Sequence, residues 1–206
     1  MGSRRGELIG DGDPRLAPAT EVDVALGQLD LVPAGDSGME AARRQISELA
    51  RGAPLLAERT WRPGHLTGSA LVVDSAQEQL VLLFHAKLKK WLQPGGHADG
   101  DTNLMAVALR EATEESGIVG LRVDPAPLDI DVHEVRPPME DPHLHLDLRF
   151  LVVAPPGAAL VANHESTELR WVRWGDIDEF APDTSLRRLS EAALRRREEF
   201  RNPPCC

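Results

Sequence analysis

The segment from residue 95 to residue 118, GGHADGDTNLMAVALREATEESGI, constrains the fold of this chain more than any other. It opens with a glycine pair that favours a tight turn, and Asp101 or Thr102 can then cap a helix that runs to about Ser116. Gly117 follows as a natural helix terminator. Apolar residues recur along this helix at a spacing that gives it one face for packing. The segment therefore predicts a turn followed by an amphipathic helix that lies against a sheet.

Three glutamates lie on one face of the predicted helix. Glu111, Glu114 and Glu115 stand at i, i+3 and i+4, so their carboxylates project within a single turn. Like charges at this spacing repel by about 0.2–0.5 kcal/mol per pair on an exposed helix. A bound hard cation turns that cost into a set of oxygen ligands, and Mg²⁺ is the usual choice. Arg110 can hold one carboxylate in place, and a backbone carbonyl of the turn at residues 94–96 can complete the ligand set.

A glutamate-rich helix turn taken alone is more often a solvated face than a metal site. The whole pattern favours the metal site, because it resembles the Nudix box of the Nudix hydrolases, G-x5-E-x7-R-E-U-x-E-E-x-G-U with U an aliphatic residue. Gly96 opens the box, and residues 110–118, REATEESGI, supply its second half. Ala112 is a small version of the aliphatic position, and Thr102 stands where the family has its first glutamate. The resemblance covers about residues 60–200.

The resemblance implies both a fold and an activity. The fold is an α/β class, Nudix-type α/β/α sandwich, whose mixed central sheet carries the catalytic loop–helix–loop and a C-terminal helix. The activity is Mg²⁺-dependent hydrolysis, with Mn²⁺ as the alternative ion, of a diphosphate bond in a nucleoside diphosphate linked to another group X. Water attacks phosphorus while the ion neutralises the charge that develops, and a carboxylate orients and deprotonates the water.

The resemblance also assigns roles to individual residues. The metal ligands it implies are Glu111, Glu114, Glu115 and the main-chain carbonyl of Gly95. Arg110 is expected to orient Glu111 or Glu114. Because the base of the family often lies on a loop before a late strand, Glu165 is expected to be the base or an additional metal ligand. The alternative for Glu165 is a solvated loop carboxylate.

Thr102 is the main departure from the box. Its hydroxyl can cap the helix, and Asp99 or Asp101 can supply the charge of the absent glutamate. The departure leaves open a second class of function, a non-catalytic Nudix-fold nucleotide-binding or regulatory module. The sequence does not identify X: the chain contains no tyrosine, and His133 stands where ADP-ribose enzymes of the family carry a proline.

The charge balance bears on partners and location. The chain has 23 Lys and Arg against 33 Asp and Glu, a formal net charge of -10, so nucleic acid is a poor partner. The longest apolar runs, residues 80–84 and 150–154, are too short to span a bilayer. The cysteines, Cys205 and Cys206, cannot staple a core. We expect a cytoplasmic protein whose partner is a small-molecule nucleoside diphosphate derivative, with a homodimer left open and no membrane association.

The pattern along the chain predicts four regions. Residues 1–38 are rich in Gly, Pro and Asp and predict a flexible leader, although residues 22–31 can form a short element. Residues 39–59 predict an N-terminal helical extension, residues 60–200 the Nudix hydrolase domain, and residues 201–206 a tail.

Two alternating segments, residues 128–135 and 144–153, flank a Pro-rich connection and predict a hairpin. A symmetric register places Ile130 opposite Leu148 and Val132 opposite Leu146, which gives one apolar face. Since a slip of one residue would pair apolar with polar side chains throughout, the symmetric register is favoured.

The other face of the hairpin carries charges and imidazoles. The symmetric register places Asp129 opposite Arg149, Asp131 opposite Asp147, and His133 opposite His145. Like charges directly opposite each other destabilise a sheet unless a cation lies between them. Three interpretations stay open: a solvent face on which salt screens the charges, a wall of the substrate cleft, and a second metal site. The cleft interpretation, in which Asp147 also fixes a histidine tautomer, assigns substrate binding to His97, His133, His143, His145 and Asp147.

Overall fold

A mixed sheet runs through the centre of the molecule, and helices cover both of its faces. The computed structural model describes residues 7–201 apart from 54, 87, 138, 162–165 and 181–183. In that part of the chain the strands are β1 (Ile9–Gly10), β2 (Gly64–Val73), β3 (Gln79–His85), β4 (Lys90–Leu92), β5 (Gly95–His97), β6 (Arg122–Val123), β7 (Asp129–Val135), β8 (His143–Val153) and β9 (Ser166–Arg173). The α-helices are α1 (Val22–Asp30), α2 (Ser37–Ala50), α3 (Leu104–Ser116), α4 (Ile177–Phe180) and α5 (Thr184–Arg201).

Strand β2 organises the sheet. It pairs in parallel with β8 over its whole length, from Gly64 beside Leu144 to Val73 beside Val153. Its other edge pairs antiparallel with β5 at one end and with β3 at the other. Farther out, β6 and β7 pair with β8, β4 and β9 pair with β3, and β1 pairs with β6. The predicted fold class, a mixed sheet between helices, is confirmed.

Side chains of β2 alternate between two cores. Leu66, Ala70 and Val72 belong to the core that contains α1, α2 and α3. Leu71 and Val73 belong to the core that contains α5. Burial on both faces explains why every residue of this strand is buried. None of the helices among the described residues is long and apolar enough to cross a membrane.

Helix α2 spans Ser37–Ala50, so only the first part of the predicted helical extension, residues 39–59, is helical. The Asp36 carboxylate accepts a hydrogen bond from the Met39 N–H at 2.9 Å and caps the N-terminus of this helix. At the other end of the chain, α5 runs to Arg201. The predicted tail therefore lies outside the described residues except for Arg201.

Helix α3 begins at a different cap from the predicted one. Asn103 is the N-cap residue, and its side-chain oxygen accepts a hydrogen bond from the backbone of the first helical turn. The predicted cap at Asp101 or Thr102 is wrong. The Asp101 carboxylate accepts from the N–H groups of Ala19 and Asn103, and the Thr102 hydroxyl donates to the Glu21 carbonyl at 2.9 Å. Thr102 thus ties the N-terminal region to the start of α3.

Two glycines fit α3 to the sheet. Gly117 ends the helix after Ser116, as predicted, by adopting a left-handed conformation with φ 67°. On β2, a Cβ atom at Gly68 would lie 2.8 Å from the Leu104 carbonyl oxygen. Only glycine allows the helix to approach β2 this closely.

Residues 7–38 pack against the rest of the protein, which corrects the expectation of a flexible leader. The buried apolar residues of this segment are Ile9, Ala25, Leu29 and Val32. The Asn103 side chain donates to the backbone carbonyls of Arg15 at 2.9 Å and Ala17 at 3.0 Å. The Gly-, Pro- and Asp-rich composition does not reveal that the segment is ordered, because the groups that hydrogen-bond to its backbone lie far along the chain.

We expect Asn103→Ala to loosen the N-terminal segment from α3. The substitution removes the helix cap and a 2.7 Å hydrogen bond from the Gln28 amide, and it leaves two carbonyls without their donor. The free energy of unfolding, measured by urea denaturation, should fall by about 1–3 kcal/mol. Proteolytic cleavage within residues 7–38 should also become faster.

A matched control for this variant is Gln45→Ala, which removes an exposed amide on α2. Its effect on the free energy of unfolding should stay below about 0.5 kcal/mol. Unfolding midpoints for Asn103→Ala that equal those of the wild type would show that these hydrogen bonds do not hold the segment in place.

The hairpin of β7 and β8 has the predicted register. Ile130 lies opposite Leu148 and Val132 opposite Leu146, and the apolar side of this pair joins the core that contains α3. On the opposite side, Asp131 faces Asp147 directly. The pairing of two carboxylates in a buried sheet requires a compensating cation, which the site described below supplies.

Candidate active site

The turn and helix of the box are joined by contacts between β5 and α3. The carboxylate of Glu115, whose residue is only 6% exposed, accepts a hydrogen bond from the Gly95 N–H at 2.8 Å. The Glu111 carboxylate lies so close to Gly96 that a Cβ atom there would collide with it. Glycine at position 96 therefore leaves room for the Glu111 carboxylate beside the strand, and glycine at position 95 leaves room for Ser69 of β2.

Arg110 connects Glu111 to the same strand. Its Nη2 donates to the Glu111 carboxylate at 2.9 Å and to the His97 carbonyl oxygen at 3.0 Å. Charge-assisted bonds of this kind restrict the carboxylate to one orientation. Of the two carboxylates that the sequence left open for Arg110, the structure places Glu111 in contact with it. Glu114 lies on the exposed side of the same helix turn.

The oxygen atoms of the box are suitable ligands for a hard divalent ion. Carboxylate and carbonyl oxygens are the ligands that Mg²⁺ prefers, and Glu111, Glu114 and Glu115 stand at i, i+3 and i+4 of one helix turn. The predicted base, Glu165, lies outside the described residues.

A buried ion-pair network fills the polar side of the hairpin. We call its members, Asp129, Asp131, Asp147, Arg149 and Arg188, the carboxylate–arginine network. The Arg149 guanidinium donates to Asp131 at 2.9 Å, to Asp147 at 3.0 Å and to Asp129 at 3.3 Å. Arg188 of α5 reaches Asp129 at 3.0 Å and Asp131 at 2.9 Å. Arg149 is the cation that allows Asp131 to face Asp147.

Burial and charge act against each other in this network. Burial opposes ionisation of Asp131, but hydrogen bonding to His133 and the charge of Arg149 and Arg188 hold its pKa well below its usual value. Burial likewise works against the charge on Arg149, and the three carboxylates overcome it and raise its pKa. Asp131 and Arg149 are therefore both charged at neutral pH.

The network overturns part of the cleft interpretation. Asp147 is 2% exposed, and its oxygens accept hydrogen bonds from Thr67, Ser69 and Arg149 at 2.8–3.0 Å. The expectation that Asp147 fixes a histidine tautomer is wrong, because these three donors occupy its carboxylate. A side chain so enclosed does not meet a substrate. The solvent-face interpretation is wrong as well, since Asp129 and Arg149 are also buried.

Imidazoles occupy the remaining part of this face. The members of this histidine cluster are His65, His97, His133, His143 and His145, with neighbouring ring centroids 4.9–5.5 Å apart. His133 is at the exposed margin, with Nδ1 3.0 Å from an Asp131 oxygen. His65 and His143 are buried, at 0% and 3% exposure. The structure thus brings together the four histidines that the sequence assigned to substrate binding.

Two members of this region escaped the sequence reasoning. His65 lies on β2, where His65, Thr67 and Ser69 alternate with residues that face the other core. That two-residue alternation of polar side chains was the available signal. Arg188 carried no such signal, because the charges on α5 surround most of the helix and its orientation depends on tertiary packing.

The sequence matches the NUDIX domain family over residues 64–196. Because this match spans more than half of the chain, and because the box carboxylates meet the glycine turn as described, the protein belongs to the Nudix family. A protein of Lactococcus lactis subsp. cremoris (strain MG1363), described as a probable DHNTP pyrophosphohydrolase, is 33% identical over 91 residues. That alignment covers 42% of this chain and 52% of the relative, so the chain spans about half the length of the curated relative it matches.

Solved structures support the fold. The structure is similar to the binary complex of a C. elegans Ap4A hydrolase, with a TM-score of 0.51 and 18% sequence identity. The superposition covers 66% of this chain and 98% of the hydrolase chain. The E. coli dihydroneopterin triphosphate pyrophosphohydrolase has a TM-score of 0.50 at 17% identity, with 63% and 93% covered. At such identities these likenesses establish the architecture.

Proposed function

We propose that the protein is a pyrophosphohydrolase that cleaves a diphosphate bond in a nucleoside diphosphate linked to another group X, or in a related organic polyphosphate. The observation that carries the proposal is the arrangement of the box. Glu115 is anchored to the Gly95 N–H, and Arg110 joins Glu111 to the strand that bears Gly95. Such anchoring places carboxylates at fixed positions, which a metal-dependent hydrolase requires.

The proposed metal ligands are Glu111, Glu114, Glu115 and the Gly95 carbonyl. When bound there, Mg²⁺ or Mn²⁺ would neutralise phosphate charge in the transition state. Arg110 acts as a positioning residue, because it restrains Glu111. Glu165 is proposed as the base that takes the proton of the attacking water, or as a further metal ligand.

The histidine cluster lies next to this site, because one of its members, His97, belongs to strand β5 of the box. The backbone of His97 accepts from Arg110, while its ring lies 5.1 Å from those of His65 and His145. We propose that His133, which is exposed, and His97, which is half-buried, contact the phosphate or base of the substrate. Neither Asp147 nor the rest of the carboxylate–arginine network is part of this proposal.

The relative from Lactococcus lactis supports the reaction class and suggests one substrate. Its description names a pyrophosphohydrolase of DHNTP, and it shares 33% identity over 91 residues. A triphosphate of that kind presents the same phosphorus–oxygen–phosphorus linkage as a nucleoside polyphosphate. Dihydroneopterin triphosphate therefore belongs among the substrates to be tested, together with ADP-ribose and diadenosine tetraphosphate.

A second candidate function rests on Thr102. The box position that carries a glutamate in the family is used here to bind the Glu21 carbonyl. A domain that has lost this charge and gained an N-terminal attachment could sense a nucleotide without cleaving it. This alternative predicts nucleotide binding without turnover.

A substrate panel distinguishes the two functions. The purified chain is incubated with Mg²⁺ and each compound, and phosphate release is measured after coupling to a phosphatase. We expect Mg²⁺-dependent turnover of at least one compound and none when the metal is chelated. Saturable binding of a compound in calorimetry, with no release of phosphate from any, would contradict the enzyme and support the binding module.

A further inference from the structure

We propose that the protein holds a divalent transition metal ion of the Zn²⁺ type on the imidazoles of His65, His143 and His145. This site lies on the opposite side of β5 from the box helix and does not depend on the proposed hydrolysis. Ligand nitrogens from the three rings lie within 4.8 Å of one another. Two of the rings belong to β8 and the third to the parallel strand β2, where His65 is directly beside His145.

The strongest indication is the state of His65. Its residue is completely buried, yet neither ring nitrogen has a hydrogen-bond partner among the described residues. The Trp61 backbone lies close enough to raise the pKa of the ring as a weak hydrogen-bonding contact, but this contact falls short of good hydrogen-bond geometry. Buried polar atoms without partners are rare because they lose hydration without replacement. An ion bound at this ring would give one of the two nitrogens a partner.

The orientation of His143 fits a ligand role. Its Nδ1 lies 2.8 Å from the Asp141 carbonyl oxygen, to which it donates as the N–H. That bond selects the tautomer whose Nε2 carries a free lone pair. Metal-binding histidines commonly have such a partner on the ring nitrogen that does not bind the ion.

The surroundings of the cluster favour the neutral form of its imidazole rings. Burial and the neighbouring His97 and His143 lower the pKa of His65 to about 4. Burial, with the surrounding imidazoles, lowers the pKa of His145 to about 2. Both rings are thus neutral at neutral pH, which is the form that binds metals.

The ligand type selects the ion. Three imidazole nitrogens suit Zn²⁺ and its transition-metal neighbours, whereas Mg²⁺ prefers oxygen. Nitrogens about 2.0–2.1 Å from a tetrahedral ion are about 3.3 Å apart, so small side-chain rotations complete the geometry. His97, whose ring is 5.1 Å from those of His65 and His145, borders this site but is not counted among its ligands, because it is proposed to contact the substrate.

The test is metal binding by the full chain after treatment with a chelator. Isothermal titration with Zn²⁺ alone should show one high-affinity ion per chain. His143→Ala and His145→Ala should each weaken this affinity by about 100-fold or more. Because His145 is partly exposed, His145→Asn is the least disruptive variant, and circular dichroism confirms that each variant is folded.

Two controls separate this site from the box. His85→Ala removes a histidine outside the cluster, whose Nδ1 accepts from the Leu88 N–H, and should leave Zn²⁺ affinity unchanged. Glu115→Gln changes the box and should also leave Zn²⁺ affinity unchanged. Loss of Zn²⁺ binding in Glu115→Gln but not in the His143 and His145 variants would place the ion at the box and overturn the proposal.

A thermal measurement gives an independent result. At a free Zn²⁺ concentration 100 times the Kd, the Tm of the wild type should rise by about 5–10 °C. Folded His145→Asn should show little or none of this rise under the same conditions. Equal Zn²⁺-induced shifts in both proteins, or the absence of stoichiometric binding to the wild type, would refute the site.

Discussion

Arg149→Ala is expected to lower the free energy of unfolding by about 3–5 kcal/mol, because it leaves buried carboxylates without their cation. The Arg149 side chain is 4% exposed and bridges Asp129, Asp131 and Asp147. Since domains are stable by only about 5–15 kcal/mol, a loss of this size removes a large share of the total. Urea denaturation at neutral pH measures it directly.

The matched control for Arg149→Ala is the variant Arg187→Ala. Arg187 precedes Arg188 on α5 and pairs with Asp178 at 2.8 Å, but both side chains are at least half exposed. Exposed ion pairs contribute about 0–1 kcal/mol, so this variant should unfold almost as the wild type does. Equal losses for Arg149→Ala and Arg187→Ala would show that burial does not determine the importance of the pair.

Glu115→Gln should reduce Mg²⁺-dependent turnover by about 100-fold or more while leaving the fold intact. Glutamine keeps an oxygen that can accept the Gly95 N–H but removes the charge that a hard cation needs. The neighbouring carboxylates at i−1 and i−4 mean that the charge of Glu115 is better suited to metal binding than to helix stability. Turnover is measured over a range of Mg²⁺ concentrations, with circular dichroism as the test of folding.

Glu48→Gln provides the comparison for this variant. Glu48 is an exposed glutamate on α2, so the same chemical change there should leave turnover and Mg²⁺ dependence unaltered. Turnover of Glu115→Gln within a few-fold of the wild type at saturating Mg²⁺ would contradict the assignment of Glu115 as a metal ligand.

The parts of the structure that depend on local patterns were predictable from the sequence. The register of the β7–β8 hairpin follows from the alternation of its own side chains, which any slip would disrupt. The end of α3 follows from Gly117, whose left-handed conformation is a property of one residue. The placement of the box carboxylates follows from helical spacing.

The parts that depend on distant contacts were not predictable. The register predicted that Asp131 faces Asp147, but not that Arg149 and Arg188 neutralise the pair, because Arg188 lies on a helix packed from elsewhere in the chain. Similarly, Asp147 was expected to bind a histidine, but it accepts hydrogen bonds from the hydroxyls of Thr67 and Ser69 on β2. Only the parallel pairing of β2 with β8 brings these residues together.

Residues 7–38 are attached to α3, although they lie outside the part of the chain that matches the family. The family likeness begins at residue 64, yet Asn103 at the start of the box helix draws its partners from Arg15, Ala17 and Gln28. A fragment cut at the family boundary would keep the inherited signature and lose groups that satisfy its helix. The contacts that satisfy the box helix thus extend over a longer stretch of chain than the family likeness, and they reach back to Arg15.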